Sequence, residues 1–238
     1  FFKQKTAYEM LRSLVGSEMC IRDRKMKVLL PLVAGYLLGS ISFAYIAGRL
    51  GRGIDIRTVG SRNAGSHNVM LEVGRLPGSI VAVLDFAKGA APVLLARWLG
   101  LPPWAQVAGG VAAVLGHRFP LYLGLMGLGF RGGTGLGASL GALLALMPLE
   151  TFVTLCILGL FYVIIFKSIS SSSLVGLGTL ALIAWWRGYP PVLILAPLLF
   201  LVLQGLFVLP TAIQMWQQTE DQQELILKKW LVDRQARI

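Results

Sequence analysis

Four groups of residues in this chain have types and spacing suited to chemistry, and none of them is a covalent-nucleophile constellation. Segment 51–78, GRGIDIRTVGSRNAGSHNVMLEVGRLPG, places four glycines in its first fifteen residues beside Ser61, Asn63, Ser66, His67 and Asn68. Glycine allows positive φ and close backbone approach, so small polar side chains and bare N–H groups can form a concavity for an anion. Gly129-Phe130-Arg131-Gly132-Gly133-Thr134-Gly135 runs straight into an apolar stretch. A Gly-rich turn entering a helix aims orphan N–H groups and the helix dipole at a phosphate. No Gly-Lys-Ser/Thr follows at the spacing of a nucleotide-binding P-loop. The competing reading of both glycine clusters is that they are turns or close-packing devices between membrane helices.

Asp85 and Lys88, in VLDFAKGAAP, lie three residues apart inside an apolar run and would share a helix face. Charges at membrane depth are costly, so the pair is either a functional site facing the bundle interior or a neutralising structural pair. His117, in LGHRFP at the end of another apolar run, has two readings: a base or phosphate donor, or an interfacial histidine bonded to backbone. His67 and Glu72 have the spacing of a His-x4-acid pair, which we read as coincidence.

The elements that must position these residues are membrane helices. The chain has 238 residues, 55% of them hydrophobic and only 14% charged, with mean hydropathy +0.70; soluble domains carry about 25% charged residues. Apolar stretches at about 28–48, 79–100, 104–123, 135–149, 151–166, 174–187 and 190–209 are separated by Pro and Gly breaks. The expected fold is an all-α integral membrane bundle of about seven transmembrane helices with Gly-rich cytoplasmic loops. Residues 1–25 lack both a span-length apolar run and a signal-peptide layout, resemble translated adapter sequence, and are expected to be foreign. Setting them aside removes six basic and three acidic residues, taking the net charge from +11 to +8, and leaves Cys156 as the one cysteine, excluding a disulfide within the chain. Residues 26–210 form one membrane domain, and 211–238 are expected to be an amphipathic tail on the membrane surface, with Trp216 and Trp230 as anchors.

With seven spans, the loops after the odd-numbered ones carry Arg49, Arg52, Arg57, Arg62, Arg75, Arg118, Arg131, Lys167 and four basic tail residues, against Lys27, Arg97 and Arg187 on the other side. Basic loops stay inside, so the motif loops are expected in the cytoplasm.

The ordered motifs GSISFAY, GIDIRTVGSRNAGSHNV, LDFAKGAAP, LGHRFP and FRGGTG cover nearly all of residues 27–205. Together they resemble the acyl-phosphate-dependent glycerol-3-phosphate acyltransferases of bacteria, the PlsY type. The resemblance implies a seven-helix enzyme of the bacterial plasma membrane that acylates glycerol 3-phosphate from acyl phosphate, giving lysophosphatidate and phosphate in phospholipid biosynthesis. It implies catalytic roles for Ser61, Asn63, Asn68 and His117, with Ser61 at the place of an essential serine. Substrate or phosphate contacts are implied for Arg57, Gly60, Arg62, Gly65, Asp85, Lys88, Arg131, Gly132, Gly133, Thr134 and Gly135. The implied partners are acyl phosphate, glycerol 3-phosphate and membrane lipids, with no nucleic acid, cofactor or metal.

The chain departs from the family pattern in several places. Arg62 stands where the family has Gly and His67 where it has Thr, while Leu71 and Thr134 stand where it has an arginine and a lysine. The loop from Pro120 to Phe130 is longer, and a His-Arg-Glu-Asn-Ile segment has no counterpart near Pro210–Gln214. Two other readings follow from these departures: an inactive paralogue, or a lipid or anion transporter or sensor built on the same glycine breaks and the Asp85/Lys88 pair.

Overall fold

The structure is a computed structural model that describes residues 26–161, 169–209 and 213. The expected foreign segment 1–25, the amphipathic tail and the Pro210–Gln214 comparison lie outside the described residues, apart from Ile213.

Among the described residues every regular element is a helix. The chain begins with α1 (residues 26–40), and a two-residue break at Ile41 and Ser42 separates it from α2 (Phe43–Arg52). Then come α3 (Ser66–Glu72), α4 (Arg75–Trp98), α5 (Pro103–Arg118) and the short α6 (Leu121–Leu125). The chain continues through α7 (Leu136–Leu146), α8 (Pro148–Phe161), α9 (Ile169–Trp186) and α10 (Pro191–Leu209). Where they are described, the seven expected apolar stretches fall on α1–α2, α4, α5, α7, α8, α9 and α10. By length and composition, three are able to cross a membrane: Met26–Arg52, Arg75–Trp98 and Pro191–Leu209. The eleven residues of α7 rise only about 16 Å, and Pro148, which cannot donate to a preceding turn, starts α8 in a new direction.

Small residues set how closely these helices approach. A methyl group added to Gly89 would strike the Ala138 carbonyl, and one on Gly141 would strike that of Phe86, so α4 and α7 touch backbone to backbone. Gly39 and Gly116 give α1 and α5 the same intimacy, against Ala113 and Tyr36. Without water to drive association, such close van der Waals packing is what holds membrane helices together. Larger side chains fill the rest of the core, where Val93, Val114, Leu143, Leu177, Leu180 and Phe200 cluster.

The bundle has two polar ends. At one, Arg97 donates from α4 to the carbonyls of Ala145 (2.6 Å) and Leu146 (3.3 Å), satisfying the C-terminus of α7. There too, buried Glu150 holds Arg187 (3.2 Å) and accepts from the Tyr189 hydroxyl (3.0 Å). The other end gathers the C-termini of α2 and α5, the N-termini of α4 and α7, and both Gly-rich loops.

Candidate functional site

Segment 51–78, expected as a loop throughout, contains α3, and its folding depends on one buried side chain. Asn68, on the first turn of α3, is 1% exposed. Its amide nitrogen donates to the carbonyls of Ile56 (2.9 Å), Val59 (3.1 Å) and Asn63 (3.1 Å), and its oxygen accepts from the Ser61 N–H (3.0 Å). These bonds wrap residues 56–63 around the helix start, in a curve that left-handed Gly60 (φ 55°) and Arg62 (φ 56°) complete. Among the described residues Arg62 is the one non-glycine with positive φ. The backbone therefore accounts for glycine at that position in the resembled family, and Arg62 holds a conformation that costs an L-residue about 1–2 kcal/mol.

A second anchor is Arg57, 8% exposed. It donates to both Asp55 carboxylate oxygens (2.9 and 2.7 Å) and to the carbonyls of Leu128 (3.1 Å) and Arg131 (3.4 Å). The Arg57 hydrogen bond holds the Asp55 carboxyl below the usual carboxylate range. Asn63 makes the other link, accepting from the Thr134 N–H at 3.2 Å. The two Gly-rich loops are thus one fastened unit. Gly132 and Gly133 let the second loop lie against the end of α5, where added methyl groups would meet the His117 carbonyl and ring.

Beneath the loops Lys88 Nζ lies 2.8 Å from Asp85 Oδ1 and donates to the Ile41 carbonyl at 3.0 Å, in the break between α1 and α2. His117 Nδ1 lies 3.6 Å from the same Asp85 oxygen. All three side chains are buried, yet neither Asp85 Oδ1 nor His117 Nδ1 has a well-aligned hydrogen bond. A buried polar atom without a hydrogen bond costs about 1–3 kcal/mol and calls for a specific reason such as a catalytic role or a bound water.

Asp85 and His117 are among the residues lining a cavity of about 450 Å³. Its polar lining includes Asn63, Ser66, His67, Asp85, His117 and Thr134, and the start of α7 borders it at Gly135, Leu136 and Gly137. No side chain caps that helix, so its leading N–H groups face the cavity. The remaining lining is largely apolar and includes Phe86, Leu140, Leu201, Val208 and Leu209. The space suits a ligand with an anionic head and a hydrocarbon tail.

Of the expected site residues, Asn63, Gly65, Asp85, His117, Thr134 and Gly135 line this cavity, with Lys88, Gly132 and Gly133 directly behind it. Ser61, Arg62 and Arg131 are exposed and outside the lining. Gly60 is a turn residue beneath which Asn68 and Glu72 sit. Arg57 and Asn68, also expected at the site, make their hydrogen bonds to protein groups and are not part of the lining. His67 and Glu72 form no pair.

Sequence reasoning missed Gln204, which lines the cavity from α10 and donates to Ser139 at 3.0 Å in a buried contact. Its signal was present: it is the single polar side chain in the apolar run 191–209.

Glycine at Arg62 should relieve the strained turn. Arg62→Gly is expected to raise stability in detergent by about 1 kcal/mol, read from the thermal midpoint, with no rise in the KM for a phosphate substrate. A lower midpoint, or a severalfold higher KM, would show that the guanidinium itself contributes.

A family model described as Glycerol-3-phosphate acyltransferase matches residues 29–226. The glycerol-3-phosphate acyltransferase of Parasynechococcus marenigrum (strain WH8102) is 42% identical over 168 residues, covering 70% of this chain and 76% of the relative. That of Synechococcus sp. (strain JA-3-3Ab) is 39% identical over 187 residues, covering 77% and 85%. Among solved structures, the glycerol 3-phosphate form of PlsY (YgiH), an integral membrane glycerol 3-phosphate acyltransferase, superposes with a TM-score of 0.70 at 30% identity, covering 80% of this chain and 92% of that one.

Proposed function

This chain belongs to the glycerol-3-phosphate acyltransferase family, and from that premise we propose that it transfers the acyl group of an acyl phosphate to a hydroxyl of glycerol 3-phosphate. The observation that carries the proposal is the single cavity in which buried Asp85 and His117 and the uncapped start of α7 adjoin a hydrocarbon-lined wall.

Acyl phosphate is already activated, so the protein needs to align two substrates and stabilise charge rather than provide a nucleophile. The acyl chain lies along Leu140, Leu201, Val208 and Leu209, with its carbonyl toward the N–H groups of α7. Glycerol 3-phosphate enters from the loop side, past Asn63, Ser66 and His67. On substrate binding, Asp85 and His117 Nδ1 close from 3.6 Å to hydrogen-bonding distance and hold the imidazole, whose Nε2 takes the proton of the attacking hydroxyl. The hydroxyl oxygen bonds to the acyl carbon, and the developing oxyanion is held at the helix start. As the C–O bond to phosphate breaks, the phosphate departs and takes the proton back from His117. Lys88 offsets the Asp85 charge, so the imidazolium forms beside a neutral pair rather than a lone carboxylate.

Backbone N–H groups and the α7 dipole replace part of the cationic field missing at Leu71 and Thr134. Leu71 is exposed and does not line the cavity, while Thr134 lines it and donates its N–H to Asn63. Transport is the weaker reading, because the polar lining collects at one end of the bundle and not along a path through it.

Purified protein given acyl phosphate and glycerol 3-phosphate should release inorganic phosphate, and His117→Ala should slow release about 10²–10⁴-fold. No turnover above background, unchanged by His117→Ala, would defeat the reading. The motif loops face the cytoplasm of the plasma membrane in this proposal. A cysteine placed at Ser66 should then react with an impermeant thiol reagent in inverted vesicles and not in intact cells, and the opposite pattern would reverse the orientation.

A further inference from the structure

Between Arg118 and Arg131 the chain runs through FPLYLGLMGLGF, twelve residues whose one polar side chain is the Tyr122 hydroxyl. A connection between helices normally runs over the surface with polar side chains. Here α6 buries only Leu123. Phe119, Tyr122, Leu125, Met126 and Phe130 are exposed, Leu125 and Met126 to 75% and 66%.

The loop is firmly built. The Arg57 guanidinium donates to the Leu128 carbonyl (3.1 Å) and the Tyr36 hydroxyl to that of Phe119 (3.1 Å). The Gly132 N–H closes the base on the Arg118 carbonyl at 2.9 Å. The Phe130 ring lies over Gly124, where any side chain would collide with it. Left-handed Gly127 and Gly129 turn the chain back toward Arg131. Leu125 and Met126 are therefore held outward, with Tyr122 and Phe130 partly exposed beside them and Phe119 edge-on to Phe207 at 6.0 Å between ring centroids, a group that a water-exposed surface would rarely carry.

Its position says what covers it. The loop leaves the C-terminus of α5 and leads into the N-terminus of α7, so it lies where the apolar helices end and the polar loops begin. Two arginines flank it, the charge expected beside anionic lipid head groups. We infer that residues 119–130 are inserted into the boundary between head groups and acyl chains of the bilayer, with phospholipid as their partner. Phe119, Tyr122, Leu125, Met126 and Phe130 lie among the upper acyl chains, and Arg118 and Arg131 face lipid phosphates. Because Gly132–Gly135 follow without a break, this anchor sets the depth of the cavity mouth. On the proposed function, that depth is where a lipid-borne acyl donor and a water-soluble acceptor can both arrive.

The test needs no substrate, so its result is independent of the acyl-transfer reading. In a chain carrying Cys20→Ser and Cys156→Ser, bimane is attached at Met126→Cys, or at Arg52→Cys as the aqueous reference. The protein is reconstituted into phosphatidylethanolamine–phosphatidylglycerol vesicles. Lipids brominated near the head-group end of their chains should quench bimane at 126 strongly, and iodide should quench it severalfold less than at 52. Iodide quenching equal to that at 52, without bromolipid quenching, would overturn the inference by placing the loop in water. Shielding from both quenchers would also overturn it, by showing that another protein surface covers the loop.

Discussion

A carboxylate buried inside an apolar helix is the constraint on which the rest of this site depends. Asp85 is 3% exposed, with a lysine 2.8 Å and an imidazole 3.6 Å from one of its oxygens. Removing such a charge from water costs several kcal/mol, which attraction to Lys88 offsets only when the geometry is held. Lys88 is held in turn by the Ile41 carbonyl, freed from helical bonding by the break between α1 and α2. Continuous helix there would leave the ammonium without that acceptor. The break, the ion pair and the histidine are thus a single arrangement spanning α1, α4 and α5.

The loops solve a different problem, which is to bring backbone N–H groups to a precise place without spending side chains on it. Asn68 and Arg57 act from beneath, Asn68 on the carbonyls of Ile56, Val59 and Asn63 in its own segment and Arg57 on those of Leu128 and Arg131 in the other loop. Gly132 and Gly133 allow the second loop to approach the α5 terminus more closely than any side chain would permit. A cradle of this kind tolerates the exchange of cations around it better than the loss of its glycines or its two anchors. In the present chain Leu71 and Thr134 stand where the resembled family has an arginine and a lysine.

Much of this was legible in the sequence, and the limits have physical causes. Apolar run length revealed the helices, because membrane depth demands long hydrophobic segments. It could not say which of them cross, since α7 stops after eleven residues at Met147. The spacing of Asp85 and Lys88 announced their contact, as neighbours on one helix face must meet. Nothing local announced His117 beside Asp85, which depends on how α4 packs on α5. Arg57 is expected at the substrate only through the family resemblance. Besides Asp55, its acceptors are the Leu128 and Arg131 carbonyls, 71 and 74 residues away, which no local pattern announces. The helix at Ser66–Glu72 was hidden by the glycines around it and is supported by tertiary burial of Val69 and Asn68 rather than by propensity.

The central claim is that Asp85 and His117 work as one unit, the carboxylate fixing the imidazole that moves the proton. Its most direct test is a double-mutant cycle on phosphate release with Asp85→Asn, His117→Ala and the pair together. If the account holds, each single change slows turnover severely and the double variant is about as slow as the slower single one. Losses that multiply independently, or an Asp85→Asn variant with undiminished turnover, would contradict it.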